Sequence, residues 1–101
     1  MENESYQLIW GFLRMCFNYE YYADGISRAK QAIGHNAQAQ ENWKKISSTI
    51  QNRQLEPGEP LTLVNHGANQ VLDENSDEEA YVWLDKMIAN IERTDGQIDV
   101  Y

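Results

Sequence analysis

Ser76 opens the stretch that most constrains this chain. Glu79 stands three residues further on, and a serine followed at that spacing by a glutamate is a capping box. The hydroxyl accepts from the amide of the third helical residue, while the carboxylate reaches back to the amide of the cap. A helix therefore starts here. Ala80, Trp83, Leu84, Met87, Ile88 and Ile91 then recur at the spacing of one helical face, a stripe about 100° wide that has to be buried against other elements. Glu74, Asp77, Glu78 and Glu79 lie on or just before the first turn, where the positive end of the helix dipole stabilises carboxylates. The spacing predicts a helix over Ser76 to Ile91 with a core-facing stripe and a negatively charged end.

The partners of that stripe have to come from the rest of the chain. Residues 5 to 19 carry apolar side chains on nearly every face, with Ser5 able to cap, which predicts a central helix contacted from several sides. Trp10, Phe12, Phe17, Trp43 and Trp83 sit on helical stripes and read as core. Gly11 costs about 1 kcal/mol of helix propensity relative to alanine, so it marks a close crossing by another helix. Asp24-Gly25 reads as a turn or cap. Ile26, Ala29, Ala32 and Ile33 resume a helical pattern that closes at Gly34, and Ala39, Trp43, Ile46 and Ile50 form a narrow stripe on an outer helix from about Ala37 to Arg53.

Glu56-Pro57-Gly58-Glu59-Pro60 cannot continue that helix, since proline lacks the amide and clashes with the preceding turn. Leu61 to Gly67 is open between a short helix and a strand. The helix is favoured because Pro60 suits a first turn, Gly67 suits a stop, and no second strand is present to pair with it. Ile98 and Val100 are expected to pack the short tail against the core. The fold class expected is all-α, a compact bundle of about five helices in a single domain over residues 1 to 101, with the first and last long helices as its core pair.

A net charge of −8 is distributed unevenly. Residues 1 to 55 hold five acids against six bases, a balance of +1, and residues 56 to 101 hold eleven acids against two bases, a balance of −9. Nucleic-acid binding needs the opposite sign, because phosphates are held by lysine and arginine. A protein partner with a basic face fits instead. No run approaches the roughly 18 apolar residues of a membrane span, the first residues lack the basic start of a signal peptide, and the single cysteine, Cys16, suits a reducing compartment. These features predict a soluble, cytoplasmic protein with no membrane partner.

Catalytic and metal chemistry find little footing. His35 and His66 are far apart in sequence with no second ligand at helical spacing, so no metal site is assigned. Cys16 lies between Met15 and Phe17 on an apolar helix and reads as an inert core thiol. Glycosidase-type work needs two carboxyls about 5 to 10 Å apart across a cleft, whereas Asp73 to Glu79 places its acids side by side on an exposed turn. No catalytic residue, cofactor or metal is assigned. Tyr19, Tyr21 and Tyr22 crowd a helix end beside Glu20 and Asp24. They cannot all point inward, and tyrosine is enriched at protein interfaces.

Two blocks of residues bear a resemblance. Leu13 to Asp24 resembles the F-x-x-(D/E)-(Y/W) signature near the N-terminus of small helical CdiI-type immunity proteins of bacterial contact-dependent growth inhibition (CDI) systems, with Phe17, Glu20 and Tyr21 in the matching places. Ser76 to Leu84, followed by Ile88, is similar to that family's S-D-E-E-A-x-x-W-L helix; the middle, Pro57 to Gly67, departs from the pattern. The resemblance implies a cytoplasmic antidote that binds one copy of the C-terminal toxin domain of its cognate CDI effector and blocks it. Such toxins are commonly nucleases, whose basic grooves hold phosphates and can be covered by an acidic surface. On this reading the toxin-binding residues are Tyr19, Glu20, Tyr22 and Asp24 near the end of the first helix. Asp73, Glu74, Asp77, Glu78, Tyr81 and Asp85 would join them on and before the last. The alternative is an acidic helical adaptor or regulatory subunit for another basic protein.

Overall fold

A computed structural model describes residues 4–18, 21–94 and 98 of the chain. These residues form five α-helices and no strand: α1 (Glu4–Phe17), α2 (Tyr22–Ile33), α3 (Ala37–Gln51), α4 (Glu59–Thr62) and α5 (Asp77–Glu92). The protein is all-α. No helix among the described residues is long and apolar enough to cross a membrane.

Local chemistry accounts for most helix ends. The Asn36 side chain accepts from the Ala39 amide at 2.8 Å and starts α3, and Ser76 Oγ accepts from the Glu79 amide at 3.2 Å and starts α5. Gly58, at φ 87°, turns the chain into α4, where Pro60 occupies the first turn. The helix chosen for residues 61 to 67 is present: α4 runs on into a π-helical turn, Leu63–Gly67, closed by the Ala68 amide donating to the Leu63 carbonyl at 2.9 Å. Gly67 is the last residue of this turn, and a Cβ there would make ordinary van der Waals contact with Trp10 and Leu13, at 3.4 and 3.6 Å.

α2 starts four residues before the predicted Ile26. Gly25 lies within its first turn instead of ending a loop, and its amide donates to the Tyr21 carbonyl at 3.2 Å. The reason is packing. The Phe17 ring occupies the space beside Gly25, 2.3 Å from where a Cβ would sit, so this glycine admits an aromatic ring to the core.

The core is built from Ile9, Leu13, Cys16 and Phe17 of α1, Ile26 and Ala29 of α2, Trp43, Ile46 and Ile50 of α3, Leu63 and Val64 of the π turn, and the predicted α5 stripe. α1 packs on α2, α3 and the π turn, and α5 packs on α2, α3, α4 and the π turn. The two long helices predicted as a core pair are therefore joined mainly through these intermediates. Their direct meeting is at Phe17 and Trp83, whose rings stand edge to face at 5.4 Å. Trp10 and Phe12, predicted as core, are half-buried: Trp10 lies between Tyr6 and the Arg14 guanidinium, at 6.2 and 5.8 Å, and Phe12 meets Trp43 at 5.4 Å. Ile98 packs on the core as expected, and Val100 lies outside the described residues.

Candidate functional site

The acids at the start of α5 share a neighbourhood in sequence but not a role. Asp77, the first residue of the helix, turns its carboxylate across to the start of α4. One oxygen accepts from the Gly58 amide at 2.8 Å and the other from the Leu61 amide at 3.2 Å. A helix N-terminus leaves amides without intrahelical partners, and a carboxylate satisfies them and complements the dipole. Asp77 thus opens its own helix and caps another. Glu78, one position on, is rotated away from α4 and exposed.

Further along α5, Asp85 holds Arg53 through a two-point ion pair, Nη1 to Oδ1 at 3.0 Å and Nη2 to Oδ2 at 2.7 Å. Arg53 has a left-handed backbone, φ 54°, just past the end of α3. Its guanidinium also donates to the Ile50 carbonyl at 2.8 Å and lies over the Tyr81 ring, 4.3 Å from its centre. Burial raises the Tyr81 phenol above its ordinary pKa, and the neighbouring guanidinium opposes that shift. The cluster of Arg53, Tyr81 and Asp85 clamps the end of α3 to α5.

The ten residues assigned to a partner-facing surface divide accordingly. Asp77, Tyr81 and Asp85 make contacts within the fold. Tyr22 is half-buried, its ring against Phe17 at 5.8 Å and Trp83 at 5.7 Å, and its hydroxyl accepts from the Asn90 side chain at 2.9 Å. Asp24, Asp73, Glu74 and Glu78 are exposed. Asp73, Glu74 and Glu78 lie within six residues of one another at the turn into α5, their carboxylates without a hydrogen bond or ion pair among the described residues, and Asp24 lies on α2. Tyr19 and Glu20 lie outside the described residues.

Set beside protein-family models, curated proteins and solved structures, the chain matches none.

The remaining candidates for chemistry are dispersed. Among the described residues no three His, Cys, Asp or Glu side chains converge in a way that could hold a metal ion. His35 and His66 are exposed, and the His66 carbonyl accepts from Arg14 at 3.4 Å. Cys16 is buried; desolvation raises its thiol pKa from an ordinary 9.0 to about 11, against the pull of the Arg28 charge. It is protonated at neutral pH and a poor nucleophile there.

One surface feature escaped sequence reasoning. Between α1 and α3, closed at one end by α2, runs a groove of about 260 Å³ with Gly11 in its lining. The close helix crossing expected at Gly11 is not there: the residue is exposed, and a Cβ added to it would meet nothing within 4 Å.

Proposed function

We propose that this chain is an immunity protein of the CdiI type. It binds the C-terminal toxin domain of its cognate CDI effector, a basic ribonuclease, in the cytoplasm of the cell it protects. Its acidic end covers the cleft in which the toxin holds RNA. The observation that carries this reading is the group Asp73, Glu74 and Glu78: three exposed carboxylates at one turn, engaged by none of the described residues, in a half-chain with a balance of −9.

The physical argument is one of uncompensated charge. A ribonuclease cleft is lined by cations that hold phosphates, so a surface bearing several fixed carboxylates competes for it. Such complementarity mainly speeds encounter and selects the partner, while a few aromatic or apolar contacts supply most of the affinity. The two sequence blocks that resemble CDI immunity proteins support the same reading. Because Asp77, Tyr81 and Asp85 serve the fold, the described acids of the predicted surface that remain exposed are Asp24, Asp73, Glu74 and Glu78, and the last three lie together in sequence at the turn into α5.

Co-expression tests it. The chain is produced in a bacterium together with the toxin domain encoded beside it, and growth is scored. Rescue is the expected result, and continued killing by that domain at matched expression would overturn the reading.

A further inference from the structure

The groove between α1 and α3 does not end at Met15. Met15 and Ala32 also line a second hollow, of about 310 Å³, between α1 and α2, whose other walls are Cys16, Arg28, Gln31 and His35. The two hollows therefore adjoin as one trough along α1. Leu8, Gly11 and Phe12 line the first, Met15 lines both and Cys16 lines the second, in the order in which neighbours follow along one helix face. From Leu8 to Met15 the trough runs about 10 Å at the helical rise.

Polarity changes along it. The first hollow is walled by Leu8, Phe12, Trp43 and Ile46, and its polar members, Gln7 and Asn42, are neutral amides. The second presents the guanidinium of Arg28 with the side chains of Gln31 and His35. The Arg28 charge acts on the Cys16 thiol at the floor of this hollow. Among the described residues no aspartate or glutamate lines either hollow, although the chain as a whole carries −8. The trough is apolar at one end and cationic at the other.

We propose that this trough binds a fatty acid, its hydrocarbon chain lying along Gly11 between α1 and α3 and its carboxylate at Arg28. Charge complementarity sets the orientation. A guanidinium offers a planar fork that matches both oxygens of a carboxylate, and Gln31 and His35 each carry a nitrogen able to donate a further bond. The apolar end selects the tail. An extended peptide there would bring backbone amides and carbonyls against Leu8, Phe12, Trp43 and Ile46, which offer them no partners, whereas a hydrocarbon chain brings none. Hollows of a few hundred Å³, mainly apolar with a few polar groups at one place, have the make-up of small-molecule sites. The tail also accounts for Gly11. A glycine inside a helix costs about 1 kcal/mol relative to alanine, and a Cβ added here would meet nothing within 4 Å, so the residue leaves open the space that the tail fills. This inference is independent of the toxin reading.

Isothermal titration calorimetry of the full chain with decanoate, kept below the concentration at which it forms micelles, tests the proposal. Saturable binding of one decanoate per chain is expected. Decanol has the same tail without the charge and should bind roughly tenfold more weakly, the scale of a lost charge-assisted hydrogen bond. Acetate, the head without the tail, should give no measurable heat of binding. Arg28→Gln should weaken decanoate by roughly tenfold and leave decanol unchanged. Gly11→Leu places a side chain in the first hollow and should weaken both, with helix content by circular dichroism retained because that side chain enters open space. Absence of saturable decanoate binding, decanol binding as tightly as decanoate, or folded Arg28→Gln and Gly11→Leu variants that bind decanoate like the unaltered chain would overturn the proposal.

Discussion

Asn90, buried in α5, donates from its side-chain amide to the Tyr22 hydroxyl at 2.9 Å. This bond explains why one tyrosine of the aromatic group after α1 turns inward: a buried amide needs partners, and Tyr22 brings a hydroxyl while its ring packs on Phe17 and Trp83. Tyr22→Phe keeps the ring and removes this acceptor, so it should cost about 0.5–1.5 kcal/mol, the net worth of one hydrogen bond. Urea denaturation would measure this, and an unchanged midpoint would count against the bond's role.

Asp77 should behave as a cap for α4 as much as a residue of α5. Asp77→Ala removes the acceptor of the Gly58 and Leu61 amides and should destabilise the protein by about 1–2 kcal/mol, as loss of a helix cap does. Hydrogen exchange at those two amides should accelerate while the Ser76 cap of α5 persists. Asp77→Asn, which retains one acceptor oxygen, should lose less.

The glycines of α1 and α2 should respond to the same substitution with opposite signs. Gly25→Ala drives a methyl group into the Phe17 ring and should cost about 1–3 kcal/mol, as overpacking does. Gly11→Ala enters open space and should gain about 0.5–1 kcal/mol from improved helix propensity. Thermal or chemical denaturation compares the two.

Cys16 links stability to alkaline pH. Its folded pKa, about 11, lies above the ordinary 9.0 to which unfolding returns it, and the protonated thiol is the neutral form. Below pH 9 the thiol is protonated in both states and its contribution to stability is complete. Between about 9 and 11 the unfolded chain ionises first, and that contribution is lost. The stability of the unaltered chain relative to Cys16→Ala should therefore fall across this window. Thiol reagents at neutral pH should label Cys16 only as the protein unfolds.

The toxin reading makes a kinetic prediction. Reversing charge together at Asp73, Glu74 and Glu78 should slow association with the cognate toxin domain by roughly tenfold or more at low salt, the scale of electrostatic steering. The deficit should shrink as salt rises, and the fold should survive because these carboxylates hold nothing in place. Unchanged association rates, measured by stopped flow, would remove the acidic end from the interface.

How much of this could be read in advance depended on range. The helix from Ser76, the break at Pro57 and the short helix from Pro60 were all legible, because caps, prolines and helical stripes act within one or two turns of chain. Gly25 was misread as a turn, since a glycine before a helical run looks the same whether it ends a loop or makes room for a ring. The candidate surface was legible as a surplus of charge, yet not as a set of residues.

The sequence by itself determined the helical class, most helix ends, the buried stripe of α5 and the excess of acid after residue 55. Only the tertiary structure decided which acids are used internally. Asp77 and Glu78 are adjacent in sequence, but a step of about 100° around the helix turns one towards α4 and the other to solvent. Asp85 meets an arginine 32 residues away. Gly11 and Gly25 likewise differ only in what the fold brings beside them. Capping and periodicity are short-range and written locally, whereas a carboxylate's partner and a glycine's neighbour come from distant segments and exist only once the helices have packed.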